Sequence, residues 1–213
     1  MRRPLRWMLA VALLGAASLA VAPADAPKPL RVYVVRHAQA WKNVPPSARP
    51  HAMSDDELDA LTPAGLARAT ALGHELAGKG IAAVYTSPAR RAQQTAQAIA
   101  TALGLGPPIV DEALRTLDTG RDAEAGSGMA RTKSWKAGRD PRPAGGESLA
   151  DGNARATAAL KAIAAQRPGE AIAVVTHGEI ASSLITRGAG QDLLANYFEN
   201  FPEEGTAHEI EVR

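Results

Sequence analysis

The chain of 213 residues has no cysteine. That excludes disulfides, thiolate metal sites and a cysteine nucleophile, and leaves the hydrophobic core to hold the fold unaided. Aromatic residues are scarce at 4%, so a core drawn from the 46% hydrophobic residues must be filled with Ala, Leu, Val and Ile. A surplus of one charge is also missing once the N-terminus is set aside. Residues 1–26 carry Arg2, Arg3, Arg6 and Asp25, and without them Lys and Arg fall from 24 to 21 and Asp and Glu from 22 to 21. A near-neutral chain offers no electrostatic footprint for nucleic acid, so no nucleic-acid partner is expected. The five histidines include no close pair at ligand spacing, so no metal and no other cofactor is expected.

Three arginines followed by the uncharged, Ala/Leu/Val-rich run Trp7–Ala22 have the layout of a secretory signal peptide. Ala20-Val21-Ala22 and Ala24-Asp25-Ala26 both fit a small-x-small cleavage site. The apolar run is about 16 residues, short of the roughly 20 that span a bilayer, so contact with the membrane is expected only through an uncleaved signal. Residues 1–26 therefore read as a signal peptide and 27–213 as one domain, exported and in a two-membrane bacterium periplasmic.

Within that domain, short β-branched runs alternate with helical ones. Leu30–Arg36, Ile81–Thr86, Ile109–Val110 and Ala171–Thr176 read as buried strands, and His208–Val212 as a last strand. Thr62-Pro63 and Ser87-Pro88 each look like an N-cap followed by proline, opening helices toward Ala77 and Leu103. The first helix has Leu66, Ala69, Leu72 and Leu76 on one face. Further helices are expected over Glu147–Gln166 and Gly178–Arg187, and Ser54–Leu61 as a helical turn. Residues 111–146, rich in Gly, Pro and charge, read as an irregular cap whose arginines and lysines could steer an anion. The aromatic-rich stretch Tyr197–Phe201 reads as core. This order predicts an α/β three-layer sandwich, a mostly parallel sheet with helices on both faces and a small irregular cap. Ligands bind such sheets beyond the carboxyl ends of the strands. His37 and His177 each follow a strand there, so two distant histidines are expected to meet.

Five segments carry chemistry. Arg36-His37-Ala38-Gln39, followed by Asn43, places an imidazole beside a guanidinium, whose fork matches phosphate oxygens. Ser87-Pro88-Ala89-Arg90-Arg91 opens a helix whose N–H groups favour anions. Thr176-His177-Gly178, Leu61-Thr62-Pro63-Ala64-Gly65 and Gly145-Gly146-Glu147-Ser148 complete the set. In this order, over nearly all of residues 30–212, they resemble the histidine phosphatase superfamily in its phosphoglycerate-mutase-like branch. The resemblance implies that His37 attacks phosphorus and carries the phosphoryl group. It implies that Arg36, Arg91 and His177 bind the phosphate, with Asn43 assisting, and that a carboxylate protonates the leaving group. His177 would be more useful as a cation.

Two departures stand out. Ala38 replaces a usual Gly, which would cost energy if the backbone there were left-handed. Leu114-Arg115-Thr116-Leu117-Asp118-Thr119-Gly120 has Thr116 where the family has its acid. Asp118, on the same face of an extended segment as Thr116, is the expected proton donor, with Glu147 in reserve and water as the remaining possibility. The expected function is a metal-independent phosphate monoester hydrolase for a small phosphorylated substrate. The alternatives are a non-catalytic phosphate-binding envelope protein and a phosphomutase, which would need a closed site and an internal phosphate donor.

Overall fold

The computed structural model describes residues 28–121 and 128–213; the signal-peptide reading of residues 1–26 lies outside the described residues. The described chain forms a five-stranded sheet in the order β3-β2-β4-β1-β5. Strands β1 (Leu30–Arg36), β2 (Ile81–Thr86), β3 (Ile109–Val110) and β4 (Ala171–Thr176) run parallel. β5 (Ala207–Val212) closes one edge antiparallel to β1.

Alternation along the strands builds two cores. Val32 and Val34 of β1, with Ile172 and Val174 of β4, pack against α5 (Leu149–Gln166) and α6 (Gly178–Gly188). Tyr33 and Val35, with Ala171, Ala173 and Val175, face α2 (Pro63–Glu75) and α3 (Arg90–Ala102). The period of two thus gives a sheet covered on both faces. The expected sandwich is what the chain forms.

Register sets the site. Arg36 lies beside Thr176, so His37 and His177 leave the sheet side by side, and the His37 N–H donates to the Thr176 carbonyl at 2.9 Å. Ser87 follows β2 one strand further along, its N–H on the Val175 carbonyl.

Several local expectations need correction. Ser87 does not cap α3; the helix begins at Arg90, because the Ser87 hydroxyl is turned to His177. Leu66 is half exposed, since the buried stripe of α2 is Gly65, Ala69, Leu72 and Gly73 and Leu66 stands to one side of it. Gly65 is required there: a Cβ would stand 2.1 Å from the Gln39 carbonyl oxygen. The cap is less irregular than its composition suggests. It contains helix α4 (Gly128–Lys136), which has no apolar stripe and is held by buried Trp135 and Arg131, one turn apart. Between β1 and α2 lies the single turn α1 (Asp55–Leu58), and α7 (Leu193–Asn196) precedes Tyr197. Of the aromatic stretch only Tyr197 is core, packed on Trp135 at 5.0 Å between ring centroids, while Phe198 and Phe201 stay partly exposed.

Candidate active site

His37, Arg91 and His177 meet at the carboxyl end of β1 and β4 and are 4%, 8% and 2% exposed. The His37 ring is fixed as one tautomer. Its Nδ1–H donates to the Ala38 carbonyl at 2.9 Å, so Nε2 carries a lone pair, and that lone pair accepts from Arg91 Nε at 3.1 Å. Burial first, then the charges of Arg91 and Arg36, outweigh the carbonyl bond and lower the His37 pKa from 6.5 to about 4. The ring is neutral at physiological pH, as a nucleophile toward phosphorus must be.

Arg91 is the hub. Its Nη2 donates to His177 Nδ1 at 2.8 Å, so the Nε–Nη2 edge of one guanidinium bridges both histidines. This edge is the fork that matches two oxygens of a phosphate. His177 Nε2 then donates to Ser87 Oγ at 2.7 Å. Burial, followed by Arg91, holds the His177 pKa well below its ordinary value. His177 is therefore neutral at physiological pH, not the cation expected, because it is buried and its Nδ1 faces a guanidinium.

Arg36 is placed differently from expectation. Its Nη1 donates to the Pro202 carbonyl and Nη2 to Glu204, both at 3.0 Å, and Phe201 lies on its face at 5.1 Å. Its Nε is buried and unpartnered. A buried N–H without an acceptor is costly, and a phosphate oxygen would satisfy it. Asn43 is exposed, and its Oδ1 accepts the Ala40 N–H at 3.1 Å, closing the turn after the histidine segment.

The carboxylates depart furthest from expectation. Thr116 and Asp118 do share a face, but it is the outward one, with Leu117 between them in the core. Asp118 caps the Gly120 N–H at 2.8 Å and makes no contact with His37, Arg91 or His177. Glu147 is bound by Arg115 and Arg155 and by the Asp118 N–H. Although burial opposes it, these donors lower its pKa to about 2, so it is a structural anion and no reserve of protons.

Two residues at the site escaped the sequence reading. Ser87 was taken as a cap. Asp59, two residues before Leu61-Thr62, ion-pairs with Arg91 Nη1 on the side away from the histidines. It also accepts from Lys42 at 3.2 Å and from the Arg90 N–H at 2.9 Å. The α3 N-terminus expected to attract a phosphate is thus already occupied by a carboxylate. Arg91 and Lys42 outweigh burial and lower the Asp59 pKa. An acidic residue just before the Leu-Thr helix start was the available signal.

The other motif residues now have reasons. Thr95 accepts from the Ala38 N–H at 3.0 Å and donates to the Arg91 carbonyl at 2.8 Å, tying the His37 segment to Arg91. Gln94 accepts the Leu61 N–H at 2.8 Å. Among the described residues no non-glycine backbone is left-handed, so Ala38 carries no strain. Ser148 caps α5 in a capping box with Asp151.

The model of the histidine phosphatase superfamily (branch 1) matches residues 32–202. A 2,3-bisphosphoglycerate-dependent phosphoglycerate mutase of Methylobacterium sp. (strain 4-46) is 36% identical over 138 residues, 59% of this chain and 66% of that protein. The chain thus spans just under two thirds of that relative. A mycobacterial glucosyl-3-phosphoglycerate phosphatase with VO3 superposes with a TM-score of 0.66 at 23% identity, covering 84% of this chain and 90% of that one. A phosphoserine phosphatase mutant from Entamoeba histolytica with phosphoserine gives 0.64 at 20%, covering 86% and 95%. At those identities the two structures speak for the fold. With the family model spanning most of the described chain, and His37 and His177 of its motifs both held on the Arg91 guanidinium, this protein belongs to branch 1 of the histidine phosphatase superfamily.

Proposed function

We propose that the chain is a metal-independent phosphate monoester hydrolase working through a phosphohistidine on His37. One observation carries the reading: a buried, neutral imidazole whose Nε2 lone pair faces the phosphate-binding edge of Arg91. The lone pair attacks phosphorus as the bond to the leaving oxygen breaks. Water then attacks the phosphohistidine, the P–N bond breaks, and inorganic phosphate leaves with His37 neutral again. Arg91 and the unpartnered Arg36 Nε supply the positive charge that a metal supplies elsewhere. With Asp118 and Glu147 engaged elsewhere, water protonates the leaving oxygen. An exported, periplasmic substrate is proposed on the layout of residues 1–26 alone.

A second reading, a phosphate-binding protein without turnover, is favoured because neither Asp118 nor Glu147 stands beside the histidines. A phosphomutase is favoured only by the relatives' activity. The test is p-nitrophenyl phosphate hydrolysis from about pH 4 to about pH 8 with EDTA present, His37→Ala alongside, on the chain from Pro27. Activity that survives EDTA and is lost in the variant supports the hydrolase. Stable ³²P trapping on His37 without release of phosphate would replace it with the binding protein.

A further inference from the structure

Both phenylalanines of the chain, Phe198 and Phe201, stand in the turn after α7 and are 39% and 38% exposed. Neither is loose. Tyr197 meets Phe198 edge-on at 4.9 Å and Phe201 at 5.6 Å, and is itself wedged against Trp135 of the cap helix. The Arg36 guanidinium lies 5.1 Å from the centre of the Phe201 ring. The ring tip abuts Gly178, where a Cβ would stand 2.4 Å from Phe201 Cζ. Gly178 follows His177 and Arg36 precedes His37, so Phe201 borders the phosphate site at the carboxyl end of the sheet. Lys136 of α4 holds its ammonium 5.6 Å from the Phe198 ring, and so bounds the same rim from the cap side. In a chain with 4% aromatics, two rigidly backed rings left open beside the reactive histidine form a surface for something apolar.

We infer that Phe201, continued by Phe198, is the seat of the leaving group, and that the natural ester carries a ring with a flat apolar face. This rests on the reading of His37 as the nucleophile toward a phosphate ester. A ring laid on Phe201 gains stacking contact while its phosphate reaches Arg91 and the Arg36 Nε. An acyclic leaving group leaves the platform wet. Aryl, sugar and nucleoside groups all have such a face.

The experiment measures kcat/KM for phenyl phosphate, a hexose 1-phosphate and a nucleoside 5′-monophosphate, and for the acyclic glycerol 3-phosphate and phosphoserine. It uses the wild type, Phe201→Ala and Phe201→Leu. The readout is the ring-to-acyclic ratio within each protein, which cancels effects passed through Arg36 or the fold. Phe201→Ala lowers the ratio about ten-fold for at least one ring class, with Phe201→Leu between, and the class that drops most names the ligand. Ratios unchanged within about two-fold for all three classes overturn the inference even where hydrolysis is intact. Turnover of no ester by the wild type overturns the hydrolase reading instead. The ratio of phenyl phosphate to inorganic phosphate affinity then decides the platform: a drop of about ten-fold in Phe201→Ala supports it, and no change refutes it.

Discussion

Acidification should cost the wild type more stability than it costs a His37→Gln variant. His37 has a pKa of about 4 in the fold against 6.5 when exposed, so between those values the unfolded chain binds more protons than the native one. Stability therefore rises with pH across this window: His37 adds no penalty above about pH 6.5, and a growing one as the pH falls toward 4. At about pH 4.5 protonation favours the unfolded chain by roughly 2.7 kcal/mol and the native one by roughly 0.2, a net loss of about 2.5 kcal/mol. The ring is 4% exposed, so solvent screening does not erode this. The assay is urea unfolding of both proteins at about pH 7.5 and about pH 4.5, compared as a difference of differences. Both are measured in a His177→Gln background, because the charge on His37 also lowers the His177 pKa, and the carboxylates common to both then cancel. The chain that keeps His37 should lose about 2.5 kcal/mol more than the variant. A difference below about 0.5 kcal/mol would refute the claim that burial and Arg91 keep the nucleophile neutral.

Asp59→Asn should lower kcat/KM by about ten-fold or more by freeing the guanidinium edge from its orientation toward the histidines, and inorganic phosphate inhibition should change with it. If steady-state kinetics stay at wild-type values, Asp59 does not hold Arg91 in place. Asp118→Asn should keep turnover of an ester with a poor alkoxide leaving group, such as glycerol 3-phosphate, within about three-fold, since its carboxylate caps Gly120; a loss of about 100-fold would return Asp118 to the role of proton donor. Gly178→Ala should cost about 1–3 kcal/mol in urea unfolding, because its methyl group collides with the Phe201 ring, and wild-type stability would show that the ring gives way freely.

The sheet was legible because its strands are written in β-branched runs bounded by Gly and Pro, and the meeting of His37 with His177 followed from both standing just after parallel strands. Ser87 was misread because a cap and a side-chain acceptor for a distant imidazole use the same residue type. Asp59 has partners, Arg91 and Lys42, that lie far from it in sequence and meet it only in the fold, on the turn after α1. Asp118 was chosen by a correct period-two argument that says which residues share a face without saying which way the face points. Helix α4 was hidden because its anchors are one arginine and one tryptophan instead of an apolar stripe.

The pairing of β1 with β4 joins Arg31 to Ala171, residues separated by most of the chain. No N-terminal portion of the protein, however well its first helices form, can hold both histidines on one guanidinium. Closing so long a loop is slow relative to local helix formation. The pairing of the histidines is therefore expected to follow the formation of the local helices. During synthesis His37 stays without His177 until β4 has been made, so a nascent chain that ends before it holds an incomplete site. In refolding, binding of a phosphate analogue should lag behind the recovery of helix and serve as a clock for the last long-range contact.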